Sequence, residues 1–271
     1  MTLLQAILLG AVQGLTEFLP VSSSGHLAIV SALMDVPGDV TFTVVVHLAT
    51  LLAVLIAFRQ DVVRLIRGAL GLLLDGFKTR DQFNRRLVVM LVLSTLPLVI
   101  GALLEDAVDR FFGRTLYVGL GLLITSFILY AAETTHGDGT KTAQDAPFSD
   151  AVRIGLAQLF ALLPGVSRSG TTISAGLFCG LRRDFAVRYA FLLSIPAVAG
   201  SFVFKLPDMI RAGTLSASPL PYLAGFCSAL VCGLLAIRLV RLLMKKDAFV
   251  YFAYYCAAVG LLTVAVSMIK G

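Results

Sequence analysis

The chain contains no tryptophan, and only 14% of its 271 residues are charged, against about 25% in soluble domains. Hydrophobic residues reach 58%. That balance excludes a soluble globular protein and points to an integral membrane protein. Without Trp, any interfacial aromatic belt must be built from Tyr and Phe. Cysteine is sparse too. Cys179, Cys227, Cys232 and Cys256 sit in apolar stretches without metal-ligand company, so they are expected to be buried free thiols. No basic segment precedes the first apolar run, which leads into Glu17 and Pro20, so no cleaved signal peptide is expected. Acidic residues number 16 against 22 Lys and Arg, a net charge of +6. In a membrane protein that excess marks cytoplasmic loops, and nucleic acid is not an expected partner.

What is present is a polar stretch inside the greasy sequence: Gln13-Gly-Leu-Thr-Glu-Phe-Leu-Pro-Val-Ser-Ser-Ser-Gly-His26. It has a second copy. Displacing the chain by about 145 positions lays Gln13 on Gln158, and Val21, Ser22, Ser24 and Gly25 on Val166, Ser167, Ser169 and Gly170. Two matched segments, each interrupted by Gly and Pro, point to a binding site formed by internal repeats.

A full helical span needs roughly 20 apolar residues and half a bilayer about 10. Leu3–Leu19 is too polar near its end for a comfortable span, Pro20 breaks it, and Gly25–Met34 resumes a short apolar helix. Residues 3–34 therefore read as a re-entrant helical hairpin, allowed at membrane depth only within protein or beside a watery cavity. Spans follow at 40–58, 87–104 and 115–132, with an amphipathic surface helix at Val62–Phe77 and a polar turn at Glu105–Arg114. Residues 133–150 form a linker. The second half repeats the plan: a hairpin at 151–181 broken at Pro164–Gly170, then spans at 185–206, 219–237 and 248–269.

Parity sets the topology. Each half has three crossings and one hairpin that does not cross, so residues 151–271 must insert upside down relative to residues 1–132. The expected fold is an all-α integral membrane protein, with six transmembrane helices plus two re-entrant helical hairpins in two inverted-topology repeats. Lys and Arg set the orientation. Arg59, Arg64, Arg67, Lys78, Arg80, Arg85, Arg86, Lys141, Arg153, Arg182, Arg183, Arg238, Arg241, Lys245 and Lys246 fall on one side. Only Arg110, Arg114, Lys205, Arg211 and Lys270 fall on the other, which places both termini and the mouth of the first hairpin outside the cytoplasm.

The hairpins carry the chemistry. Gln13 and Glu17, spaced i, i+4, share a helix face. An ionised Glu in the membrane is costly unless paired or hydrated, so Glu17 reads as a hard-cation ligand, a general base, or a structural partner of Arg168. Ser22, Ser23 and Ser24 open one half-helix, and Ser167, Ser169 and Gly170 open the other. They read as anion-binding helix N-termini or as ordinary caps. Arg168 matches phosphate oxygens bidentately and stays charged. His26 follows Ser23 by three residues, so both can face one cavity, with the histidine as base or nucleophile. His47 and His136 read as structural. Together these groups suit a lipid-accessible cavity for a diphosphate head on a greasy tail.

The Gln13–His26 stretch together with Pro164-Gly-Val-Ser-Arg-Ser-Gly-Thr-Thr172 resembles the bacitracin-resistance family of undecaprenyl-diphosphate phosphatases, over essentially the whole chain. The resemblance implies hydrolysis of undecaprenyl diphosphate to the monophosphate, recycling the lipid carrier of bacterial cell-wall synthesis. It also implies a divalent cation, Mg²⁺ or Ca²⁺, bacitracin competing by sequestering the lipid, and a periplasm-facing site in the inner membrane. Carried over residue by residue, Glu17, Ser23, His26 and Arg168 are catalytic. Glu17 and Gln13 hold the metal. Ser22, Ser24, Gly25, Ser167, Ser169, Gly170 and Thr172 bind the substrate phosphates. Many members have Glu where this chain has Gln13, so Glu17 is the firmer ligand. The rival reading, from the inverted broken-helix plan alone, is a transporter or flippase of a polyprenyl phosphate.

Overall fold

Thr2 opens the first helix by accepting from the Gln5 amide, while the Gln5 side chain reaches back to the Thr2 backbone. From that cap, α1 (Leu3–Phe18) runs to the Pro20 break, and α2 (Ser23–Leu33) returns. Asp39 then caps α3 (Val40–Ala57) through the Phe42 amide, and its other oxygen accepts from the Tyr222 hydroxyl. After Phe58 the chain continues as α4 (Arg59–Leu74), whose only buried residue is Gly68, as an amphipathic surface helix requires. The remaining helices are α5 (Gln82–Thr95), α6 (Pro97–Leu103), α7 (Thr115–Thr135), α8 (Phe148–Phe160), α9 (Arg168–Phe178), α10 (Arg183–Arg211), α11 (Pro219–Leu243) and α12 (Phe249–Lys270). This computed structural model describes residues 1–74, 82–103, 115–135, 139–211, 219–243 and 249–270. The expected turn at Glu105–Arg114, the end of the surface helix beyond residue 74, and His136 lie outside the described residues.

Among the described residues, six helical stretches are long and apolar enough to cross a bilayer: Val40–Ala57, Phe83–Gly101, Thr115–Thr135, Arg183–Pro207, Pro219–Leu243 and Phe249–Ile269. Between 22% and 44% of each is buried within the protein, so the outward faces require an apolar solvent. Phe127, Tyr251, Leu261 and Met268 point outward in this way. The chain is thus an all-helical, multi-pass membrane protein.

Several sequence expectations need correction. Pro97 divides its span. Helix α5 stops at Thr95 and α6 restarts with Pro97 as its first residue, where a missing N–H costs nothing. Pro196 and Pro207, by contrast, lie inside the continuous α10. The second break is earlier than Pro164–Gly170. It covers residues 161–167, and Arg168, Ser169 and Gly170 already belong to α9 because Ser167 caps that helix. Helix α7 runs to Thr135 and α8 begins at Phe148. Cys227 is exposed and Cys232 half-buried, while Cys179 and Cys256 are buried as expected. An outward position on α11 faces lipid, where a thiol needs no protein cover.

Close packing is achieved with small residues. On α1, Gly10 and Gly14 lie against Gly225, Ala229 and Gly233 of α11, and a Cβ on Gly14 would overlap the Ala229 carbonyl. This is the small-residue seam that lets backbones approach where no hydrophobic drive exists between helices in lipid. Gly155 of α8 meets Ser94 of α5 in the same manner. Helix α7 lies along α12, and α3 along both α11 and α10. The aromatic core is centred on Phe191, whose ring meets Phe18 and Phe58 edge-on, each at 5.6 Å.

Candidate functional site

Both helical breaks end in the same device. Ser22 accepts from the Gly25 amide and Ser167 from the Gly170 amide, each a serine N-cap. Each capping hydroxyl also lies 3.3 Å from the hydroxyl two residues on, Ser24 and Ser169. Ser22 holds φ at 70°, a left-handed conformation that a non-glycine residue adopts only when its surroundings enforce it. Gly165 is also left-handed, φ 84°, and a Cβ there would overlap the Val118 carbonyl. A Cβ on Gly25 would lie 3.2 Å from the Gly165 Cα, so the two breaks touch. The Thr125 hydroxyl on α7 donates to the Gly165 carbonyl and accepts from the Ser167 amide, holding the second break in place. Ser169 donates to the Leu19 carbonyl at 3.3 Å, joining the second helix to the first break.

Glu17 is the hub. It is 7% exposed, and its Oε2 accepts from the Ser23 hydroxyl at 2.6 Å and from the Gln13 amide at 2.9 Å. Its Oε1 accepts from the guanidinium of Arg168, in the first turn of α9. Four of the residues singled out in the sequence, Gln13, Glu17, Ser23 and Arg168, thus meet in one place. A buried carboxylate so close to a guanidinium and two further donors has its charge compensated.

His26 is placed differently from the expectation. It does not bond to Ser23. Its Nδ1 lies 2.8 Å from the Ser22 carbonyl and its Nε2 2.8 Å from the Tyr255 hydroxyl on α12. Thr172 is buried and turns its hydroxyl onto the Arg168 carbonyl at 2.8 Å. Gly25 and Gly170 sit in the first turns of α2 and α9, where their amides are taken by the caps.

Sequence reasoning missed two groups. His47, set aside as structural, has its Nδ1 2.7 Å from the Thr43 carbonyl and aims Nε2 at Glu17, 3.8 Å from Oε2. The signal existed: an ionisable residue inside a span is a functional candidate by default. Tyr255 carried no comparable signal, since it lies 229 residues from His26 in an ordinary aromatic run.

The residues fit a divalent cation in one specific way. Gln13 is fully buried and its Oε1 has no hydrogen-bond partner. An orphaned amide oxygen beside a carboxylate is a hard-cation donor set. Among the described residues no group of three His, Cys, Asp or Glu side chains could hold a metal. A bound ion there would take water or phosphate oxygens as its other ligands.

The family described as bacitracin resistance protein BacA matches residues 6–262. An undecaprenyl-diphosphatase of Methanosphaera stadtmanae is 41% identical over 276 residues, covering 98% of this chain and 99% of that protein. One from Alkaliphilus metalliredigens is 36% identical, covering 99% and 100%. One from Rubrobacter xylanophilus is 39% identical, covering 98% and 99%. Since the family match covers residues 6–262 of the 271, the chain belongs to the bacitracin resistance protein BacA family.

Proposed function

We propose that this protein hydrolyses undecaprenyl diphosphate to undecaprenyl phosphate and inorganic phosphate, recycling the lipid carrier for cell-wall synthesis. The observation that carries this reading is the Glu17 hub, where a hydroxyl and a guanidinium from two different hairpins converge on one carboxylate. The relatives' names supply the substrate.

Ser23 attacks the terminal phosphorus in line. Its proton passes to Glu17, which already accepts that hydrogen. The new Ser23 O–P bond replaces the bridging P–O bond, and undecaprenyl phosphate leaves with the bridging oxygen. Arg168 exchanges the Glu17 carboxylate for the phosphoryl oxygens and stabilises their charge. Ser22, Ser24, Ser167 and Ser169 supply hydroxyl donors at two helix N-termini, and the Thr172 hydroxyl donates to the Arg168 carbonyl. Water then cleaves the phosphoserine, and Glu17 returns the proton to Ser23. Glu17 and Gln13 would hold a divalent cation, which would neutralise phosphate charge there. Trapping ³²P from labelled substrate tests the order. Label on Ser23 supports it, acid-labile label on His26 would make the histidine the nucleophile, and absence of label would leave direct attack by water.

The matched caps and packing also support two inverted repeats, residues 1–132 and 151–271 joined by 133–150, each with a re-entrant hairpin. Exchanging the halves carries α1 against α2 into α8 against α9. It likewise carries α1 against α11 into α8 against α5 and α6, and α3 against α11 into α10 against α5. In that plan both termini and the site mouth face the periplasm. Thiol labelling of intact cells with a membrane-impermeant reagent tests it. A single cysteine at Gly38 should react and one at Thr142 should not.

A carrier would need only binding groups, and the nucleophile, base and arginine exceed that need. Phosphate release from detergent-solubilised, metal-supplemented protein decides the matter, because transport needs a sealed membrane.

A further inference from the structure

Both nitrogens of His26 are engaged within the protein itself. The Ser22 carbonyl can only accept, so Nδ1 carries the proton and donates across 2.8 Å. Nε2 is then the bare nitrogen, and the Tyr255 hydroxyl, 2.8 Å away, donates to it. The rings lie nearly parallel, 9° apart with centroids at 5.6 Å. His26 is 8% exposed and Tyr255 44%, so the phenol is the more accessible of the two rings.

We propose that Tyr255 is a positioning residue for His26. Its O–H fixes the imidazole tautomer and occupies the Nε2 lone pair, and a substrate phosphate oxygen takes over that O–H to release Nε2. A phosphate oxygen is charged and accepts more strongly than a neutral imidazole, so the exchange is favourable on binding. No covalent bond changes. One hydrogen bond passes from nitrogen to oxygen, and the only basic atom of His26 becomes available when a phosphate is present. The proposal rests on the diphosphatase reading of the site.

Diethylpyrocarbonate modifies bare imidazole nitrogens, and peptide mass spectrometry reads each histidine separately. In the full-length, substrate-free protein, Tyr255→Phe keeps the ring stack and removes only the O–H. His26 should then react about fivefold faster than in wild type, the worth of one net neutral hydrogen bond. His47, whose Nδ1 is likewise held by a backbone carbonyl, serves as the reference and should not change. Tyr255→Leu should give the same rise. In phosphate release from a polyprenyl diphosphate, Tyr255→Phe should lower kcat more than it alters KM. An unchanged His26 rate in both variants, with wild-type unfolding temperatures, overturns the proposal. Faster modification in a protein whose wild type releases no phosphate would instead keep the contact and defeat the diphosphatase reading.

Discussion

At the residue scale, Glu17 and Arg168 stabilise one another in a place where neither is comfortable alone. A charge inside the membrane tolerates burial only with a partner. Arg168→Ala should therefore do two things. It should lower phosphate release by about 10²–10³-fold, the range for losing one oxyanion-stabilising donor. It should also lower the unfolding temperature in detergent more than the double variant Arg168→Ala/Glu17→Ala does, because the single variant leaves an unpaired buried carboxylate. Near-normal turnover of purified Arg168→Ala would remove the site as assigned. His47 adds a further group close to the same carboxylate, and His47→Ala should reduce turnover less than Glu17→Ala, since its 3.8 Å contact is the longest at Glu17.

At the element scale, the site depends on how closely the first hairpin can approach its neighbours. The Gly10–Gly14 face of α1 lets the helix settle on α11, and that seat delivers Gln13 and Glu17 to the break. Gly14→Val should cost about 1–3 kcal/mol through overpacking. The Ala229 carbonyl that it meets is backbone and cannot rotate aside. Thermal unfolding and phosphate release should fall together, whereas Gly38→Val, at a position with open space around it, should change neither. The loop leading into the second hairpin is ordered by a polar device. Asp145 accepts from the Thr142 amide and hydroxyl at 3.1 and 2.9 Å, and the amide bond chiefly holds its carboxyl below the usual aspartate range. A depressed folded value means that the turn's contribution is present above the unfolded pKa and lost as pH falls through the folded one. Protection of the Thr142 amide from hydrogen exchange should accordingly persist at neutral pH and fall on acidification below that range, and Asp145→Ala should show little protection at any pH.

At the scale of the whole molecule, the protein places two related broken helices tip to tip within a bundle whose outside is apolar. If hydrolysis recycles the carrier that bacitracin sequesters, expressing the wild-type chain in a bacitracin-sensitive bacterium should raise resistance. Ser23→Ala and Arg168→Ala, expressed to equal levels in the membrane, should not. Equal resistance from the inactive variants would separate the resistance from catalysis.

Composition determined the solvent, because a chain with 14% charge and long apolar runs has no other way to cover its surface. Local pattern determined the helices, both breaks and their serine caps, since capping and proline chemistry act over three or four residues. The repeat and the i, i+4 spacing were enough to nominate Glu17, Ser23 and Arg168. Tertiary structure decided what those residues touch. Whether Ser23 bonds to Glu17 or to His26 depends on the left-handed turn at Ser22 and on how α1 lies against α2. Pro97 stands at a helix break and Pro196 does not, a difference that the local sequence did not reveal. The partners of His26 and Glu17 on α12 and α3, Tyr255 and His47, come from distant segments brought together by packing, and no local spacing rule can register them.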